Sequence, residues 1–169
     1  MTGHGRSRFL DPERLGDHLD SMYRAAWALS GSRHDAEDLV QDTLLKVLRR
    51  PRWLRDGNER GYLLRALRNT HASAYRTAAR RPATRQLLEH DAPARREGDA
   101  SAREIMEAIA SAPAAYRDAV VAVDVLGLSY REAAESLGSR EATITTRLHR
   151  GRQHVARALE SAAVSACRS

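Results

Sequence analysis

Aromatic side chains are scarce: one Phe, two Trp and five Tyr among 169 residues. A β-sandwich or barrel draws on Val, Ile and aromatics to fill its pleated faces, so this scarcity points to Ala- and Leu-rich helix packing. Cysteine occurs once, as Cys167, which excludes an internal disulfide framework and a Cys-based zinc site. No run approaches the roughly 20 apolar residues of a membrane span. The opening "MTGHGRSRFLDPERL" lacks the apolar core of a secretory signal. A soluble cytoplasmic protein with no membrane insertion is expected. Lysine is almost missing too: 27 of the 28 basic residues are Arg, and the other is Lys46. Arg suits bidentate contact with phosphate and guanine, although genomic base composition produces the same bias.

The net charge of +6 is unevenly placed. Residues 11–44 sum to −5, residues 45–81 to +9, residues 82–138 to −4 and residues 139–157 to +4. One basic block alone is often just a solvated face. Two of them, the second attached to a helix-turn-helix pattern, point to a polyanion touched at two places.

Helix signals dominate the chain. Asp11 and Pro12 suit an N-cap and first helical position, and Leu15, Leu19, Ala26 and Leu29 recur at helical spacing until Gly31. "HDAEDLVQDTLLKVLRR" carries acids at its start and bases at its end, which suits the helix dipole. Its apolar stripe is Ala36, Leu39, Val40, Leu44, Val47 and Leu48, and Pro51 stops it. A turn at Asp56-Gly57-Asn58 precedes a long helix from Glu59 to Arg80, with Leu63, Ala66, Leu67, Thr70, Ala74 and Ala78 on one face. Trp27, Tyr23, Tyr75, Tyr116 and Tyr130 read as packing residues. Residues 82–101, with Pro82, Pro93 and Gly98, have a linker composition. The expected fold is all-α: a three-helix N-terminal domain over 10–81, a flexible linker over 82–101 and a helix-turn-helix domain over 102–163.

"SYREAAESLGSREATITTRLHRGRQ" concentrates the functional signal. Ser129 and Glu132 form an S-x-x-E capping box. Ala133 and Ala134 are small enough for helices to cross, and Gly138 supplies the positive φ of a sharp corner. Ser139 is placed to cap the next helix. On that helix Ile144, Leu148, Val155 and Leu159 form the docking stripe, leaving Arg140, Glu141, Thr143, Thr146, Arg147, His149 and Arg150 on the opposite side. A helix of this width fits the DNA major groove, where Arg reads guanine and Thr touches a thymine methyl or a phosphate.

These residues resemble region four of the extracytoplasmic-function (ECF) sigma factors of the sigma-70 family. "YRAAWALSGSRHDAEDLVQDTLLKVLRR" is similar to the start of that family's region two, with its "DAEDLVQ" core, and "GYLLRALRNTHASAYRTAARR" is similar to the helix facing the promoter −10 element. The resemblance implies a transcription initiation factor that binds core RNA polymerase and directs it to promoter DNA. By that resemblance Asp38, Gln41, Asp42 and Leu45 match the helix that docks on the polymerase clamp. Trp53, Arg55, Asp56 and Asn58 lie in the loop that captures a flipped −10 base. Tyr62, Arg65, Arg68, Asn69 and Arg76 lie on or near the strand-opening surface, and the seven residues from Arg140 to Arg150 match the −35 reading helix. Trp53 and Tyr62 are placed to stack on bases, with a core anchor in the interhelix loop as the other reading of Trp53. Glu89, Asp91, Glu97 and Asp99 would mimic nucleic-acid charge inside the polymerase. An anti-sigma protein is the further partner implied. The chain departs from the family pattern at Tyr62, usually Trp, at Ser73, usually Asp, at Ala142 in the usual G-T-V, and at Ser139, usually apolar.

A stand-alone helix-turn-helix regulator is the alternative, since it needs the C-terminal motif alone. An enzyme would need a nucleophile or a metal cluster. Asp35, Glu37, Asp38 and Asp42 do not converge with any His, and His149 and His154 are five apart, poor spacing for a shared metal on a helix. No catalytic residue, metal or cofactor is therefore assigned.

Overall fold

The computed structural model describes residues 8–49, 53–54, 58–80 and 97–166. Among the described residues seven α-helices carry the fold: α1 Leu19–Ser30, α2 Arg33–Arg49, α3 Glu59–Arg80, α4 Glu97–Ala110, α5 Ala114–Val120, α6 Tyr130–Leu137 and α7 Glu141–Ala166. The only departure from helix among the described elements is a two-residue antiparallel ladder of β1 Arg8–Phe9 with β2 Trp53–Leu54, paired Arg8 to Leu54 and Phe9 to Trp53. It pins the interhelix loop to the N-terminal segment.

Asp11 does cap, accepting from the Glu13 amide at 3.0 Å, but the capped segment, Pro12–His18, is a 3₁₀ helix that ends before α1 begins. Glu59, buried at the start of α3, receives His18 Nε2 at 2.8 Å and ties that segment down. Gly31, at φ 79°, ends α1 and donates to the Trp27 carbonyl. Trp27 is core as expected, with the Arg33 guanidinium 4.5 Å from its ring centre. Two apolar assignments on the long helices need correcting. Leu48 is 47% exposed, and Thr43 takes the buried place on α2, its hydroxyl donating to the Leu39 carbonyl. Ala74 is exposed, because α3 leaves the core after Thr70. Tyr75, 73% exposed, and Tyr130, 40% exposed, are surface residues rather than packing residues.

The linker expected over 82–101 falls outside the described residues up to 96; residues 97–101 already belong to α4. Pro51, Glu89, Asp91 and Cys167 also lie outside them.

The N-terminal helices α1–α3 and the C-terminal helices α4–α7 share one hydrophobic core. Met22, Leu63, Leu64 and Leu67 on one side join Ile109, Val121, Leu126 and Leu128 on the other. Helix α1 packs on α4 and on the π-helical turn Val121–Val125 that continues α5, while α3 packs on α6. Full burial of such aliphatic side chains stabilises by about 1.5–3 kcal/mol each.

Candidate nucleic-acid interface

The sharp corner forms as its residues dictate. The Ser129 hydroxyl accepts from the Glu132 amide at 3.3 Å, and the Glu132 carboxylate accepts from the Ser129 amide at 2.8 Å and from its hydroxyl at 2.7 Å. Those bonds hold the Glu132 carboxyl below its ordinary pKa. Gly138 adopts φ 60° and closes α6 onto the Ala134 carbonyl, and the Ser139 amide donates to the same oxygen. Helix α7 starts at Glu141, so Arg140, not Ser139, immediately precedes it. The Arg140 carbonyl accepts from the Thr143 and Ile144 amides.

Ile144 and Leu148 are fully buried, while Val155 is partly buried, so the docking stripe is tightest at the start of α7. Arg140, Glu141, Thr146, His149 and Arg150 are exposed, and Thr143 and Arg147 are half-buried beside them. Tyr116, Ala142, Thr143, Thr146, Arg147 and Arg150 line one shallow hollow on this face. The Tyr116 hydroxyl accepts from Arg150 Nη1 at 3.2 Å, which steers the guanidinium across the hollow. The sequence pattern assigns Tyr116 to packing alone, and only its position across from α7 reveals this second contact. Next to the face, Arg152 makes two bonds to Asp124, at 2.6 and 3.0 Å, and is thereby committed to the domain itself.

The second cationic surface is α3. Arg65, Asn69 and Arg76 are exposed along it. Tyr62 packs partly into the core. Arg68 is engaged by Asp118 of the C-terminal helices at 2.7 Å. Asn58 is drawn into a structural task, its side-chain oxygen accepting from the Gly61 amide at 2.7 Å at the start of α3. Arg55 and Asp56 lie outside the described residues, as does the Trp53 side chain.

On α2, Asp38, Gln41, Asp42 and Leu45 are all exposed, with Leu45 at 53%. Leu48 joins them, an exposed leucine that the helical stripe alone assigns to the core.

Residues 15–81 match the family described as Sigma-70 region 2, and residues 102–155 match Sigma-70, region 4. The chain is 30% identical to the ECF RNA polymerase sigma factor SigM of Mycobacterium tuberculosis, over 84% of its own length and 73% of that protein. It belongs to the ECF sigma factors of the sigma-70 family. It is also 34% identical to the ECF RNA polymerase sigma factor SigE of Mycolicibacterium smegmatis over 85% of its length, and spans 59% of that longer protein. Among solved structures it resembles the sigma factor RpoE of Bartonella quintana, solved in complex with the anti-sigma factor NepR. That likeness has a TM-score of 0.63 at 25% identity and covers 89% of this chain and 98% of that one. The fold is also that of CnrH, solved with the cytosolic domain of CnrY, at a TM-score of 0.63, covering 88% of this chain and 86% of CnrH. Among the described residues, no helix of this sigma factor is long and apolar enough to cross a membrane.

Proposed function

We propose that this ECF sigma factor recruits core RNA polymerase through α2 and reads the promoter −35 element with α7. On this reading it opens the −10 element along α3. The observation that carries the reading is the exposed row Arg140, Thr146, His149 and Arg150 directly after the Gly138 corner, set against the buried Ile144 and Leu148. Such a face offers guanidinium forks and hydroxyls to base edges and phosphates. Asp38, Gln41, Asp42, Leu45 and Leu48 form a mixed acidic and apolar surface suited to a cationic protein helix. Arg65, Asn69 and Arg76 hold the backbone of the separated strand.

The protein works in the cytoplasm as a non-enzymatic subunit, its chemistry being that of the polymerase it positions. The solved relative with a bound anti-sigma factor supports a similar protein partner here. Run-off transcription with core polymerase, with and without the chain, tests the proposal: promoter-specific product should require it. A footprint on duplex DNA by the chain alone, with no transcription effect, would favour a stand-alone regulator.

A further inference from the structure

One short segment of chain grips both ends of the connection between α2 and α3. At the first end, β1 pairs with β2, Arg8 against Leu54 and Phe9 against Trp53. At the second end, His18 Nε2 bonds Glu59 Oε2 at 2.8 Å, and Arg14 Nη1 stands 3.7 Å from Glu59 Oε1. Glu59 opens α3, and the Asn58 side-chain oxygen caps that helix by accepting from the Gly61 amide. Between the two anchors, Leu10 and Leu15 are buried in the same core as Leu54. The ladder strand β1, Leu10 and Asp11 all precede the residues that match Sigma-70 region 2, which begin at 15.

We propose that residues 8–18 form a brace that positions the α2–α3 connection for capture of a −10 base, with His18 and Glu59 as positioning residues. The inference rests on reading the −10 element as opened along α3 and adds the part of the chain that sets the geometry beside it.

Capture needs such a brace on energetic grounds. A flipped base loses its stacking and pairing, and the site that receives it must repay that loss. A connection free at either end would give up its own conformational freedom at the same moment. Fixing both ends beforehand moves that cost into folding. One anchor alone would let the connection swing about it. Here the ladder and the Glu59 anchor belong to one continuous segment, so the two ends are set relative to each other.

The segment is ordered by what it touches. Pro12–His18 is a seven-residue 3₁₀ helix, and runs beyond about 3–4 residues are uncommon because the hydrogen-bond geometry is poor. Its order comes from the Asp11 cap, the buried Leu15 and the His18–Glu59 bond. A two-residue ladder is equally marginal alone. The Glu59 carboxylate is buried, and its Oε1 has no hydrogen-bond partner within the protein. Without His18 it loses the bond at Oε2 as well, and the start of α3 must shift to let water reach it.

The test uses holoenzyme of core polymerase and the full chain on a fork-junction promoter, with 2-aminopurine placed at each −10 position in turn. Wild type should give a fluorescence rise at one position and a clear preference among bases there. Arg8→Pro combined with Phe9→Pro removes the ladder amide, since one of two adjacent residues in an antiparallel pair carries it. That variant and His18→Ala should each lower the preference roughly threefold to tenfold, the net worth of one hydrogen bond, and should cut the fluorescence rise. His18→Gln keeps a donor near the Nε2 position and should restore both readouts. Arg8→Ala removes only the charge and should behave as wild type. Core affinity and −35 binding should stay unchanged throughout. Brace variants that keep the full preference, or that lose core affinity and −35 binding in the same proportion, would overturn the proposal. A wild-type holoenzyme that transcribes without any −10 base preference would instead overturn the −10 reading itself, and the role of the brace with it.

Discussion

Gly151 of α7 lies against Val120 of α5 so tightly that a Cβ at 151 would stand 2.6 Å from the Val120 Cγ2 and 3.0 Å from the Tyr116 carbonyl oxygen. Helix α7 is thereby seated on α5 by a missing side chain. Gly151→Ala sets two effects against each other. Helix propensity favours Ala by about 1 kcal/mol. Overpacking against a buried side chain and a backbone carbonyl costs about 1–3 kcal/mol. Because the carbonyl cannot rotate away, the steric cost wins, and thermal denaturation should show a lowered melting temperature.

Gly138 fails differently. Nothing lies within 4 Å of a Cβ placed there, but its φ is +60°. Gly138→Val meets only the left-handed backbone penalty, about 1–2 kcal/mol. Gly138→Asn should recover much of that loss, since Asn tolerates this conformation. Equal melting temperatures for Val, Asn and wild type would contradict the corner.

The contrast between these glycines marks what the sequence carries. Gly138 sits at a helix end between a capping box and a new apolar stripe, so its role is written locally and is readable there. Gly151 sits mid-helix, and its reason is Val120, thirty-one residues away, which no local pattern names. The same holds elsewhere. The helices, the Ser129 cap and the α3 bounds are legible from periodicity and capping. Leu48 and Tyr75 are not, because a stripe gives the apolar side of a helix but not where the core ends along it. The joining of both halves through Arg68 and Asp118 is invisible for the same reason: each charge alone looks like a solvated or DNA-facing residue.

Asp42→Arg and Leu48→Ala probe the α2 face. Both residues are exposed, so neither change should alter helicity or melting by more than about 0.5 kcal/mol. Core polymerase affinity should fall in each, more for the charge reversal. Unchanged affinity in a pull-down or fluorescence titration would remove these residues from the docking surface.

His71 makes stability depend on pH. Burial first, then the Arg117 charge, push its pKa below 6.5, while Asp118 and Asp35 oppose them. The folded state thus binds this proton less readily than the unfolded chain. Its contribution is complete above about pH 6.5 and is lost as pH falls below that value toward the lower folded pKa. His71→Gln should flatten the decline in melting temperature between about pH 7.5 and 5.5. An identical decline in wild type and variant would assign the acid sensitivity to other groups.

Substitutions at Arg147 and Arg150 test whether the proposed α7 face reads bases or binds phosphate. Arg150 is exposed and steered by the Tyr116 hydroxyl, whereas Arg147 is half-buried in the same hollow. Replacement of a base-reading Arg by Ala costs about 1–3 kcal/mol and relaxes preference at one position. Loss of a phosphate contact weakens all sequences alike and lowers the salt slope by about one. Tyr116→Phe removes the steering hydroxyl without removing charge, so it should reproduce part of the Arg150→Ala loss and none of its change in salt slope. Binding titrations of the polymerase holoenzyme on −35 variants at several salt concentrations distinguish these outcomes. A Tyr116→Phe protein that binds every variant as wild type does would show that the hydroxyl contact is incidental to recognition.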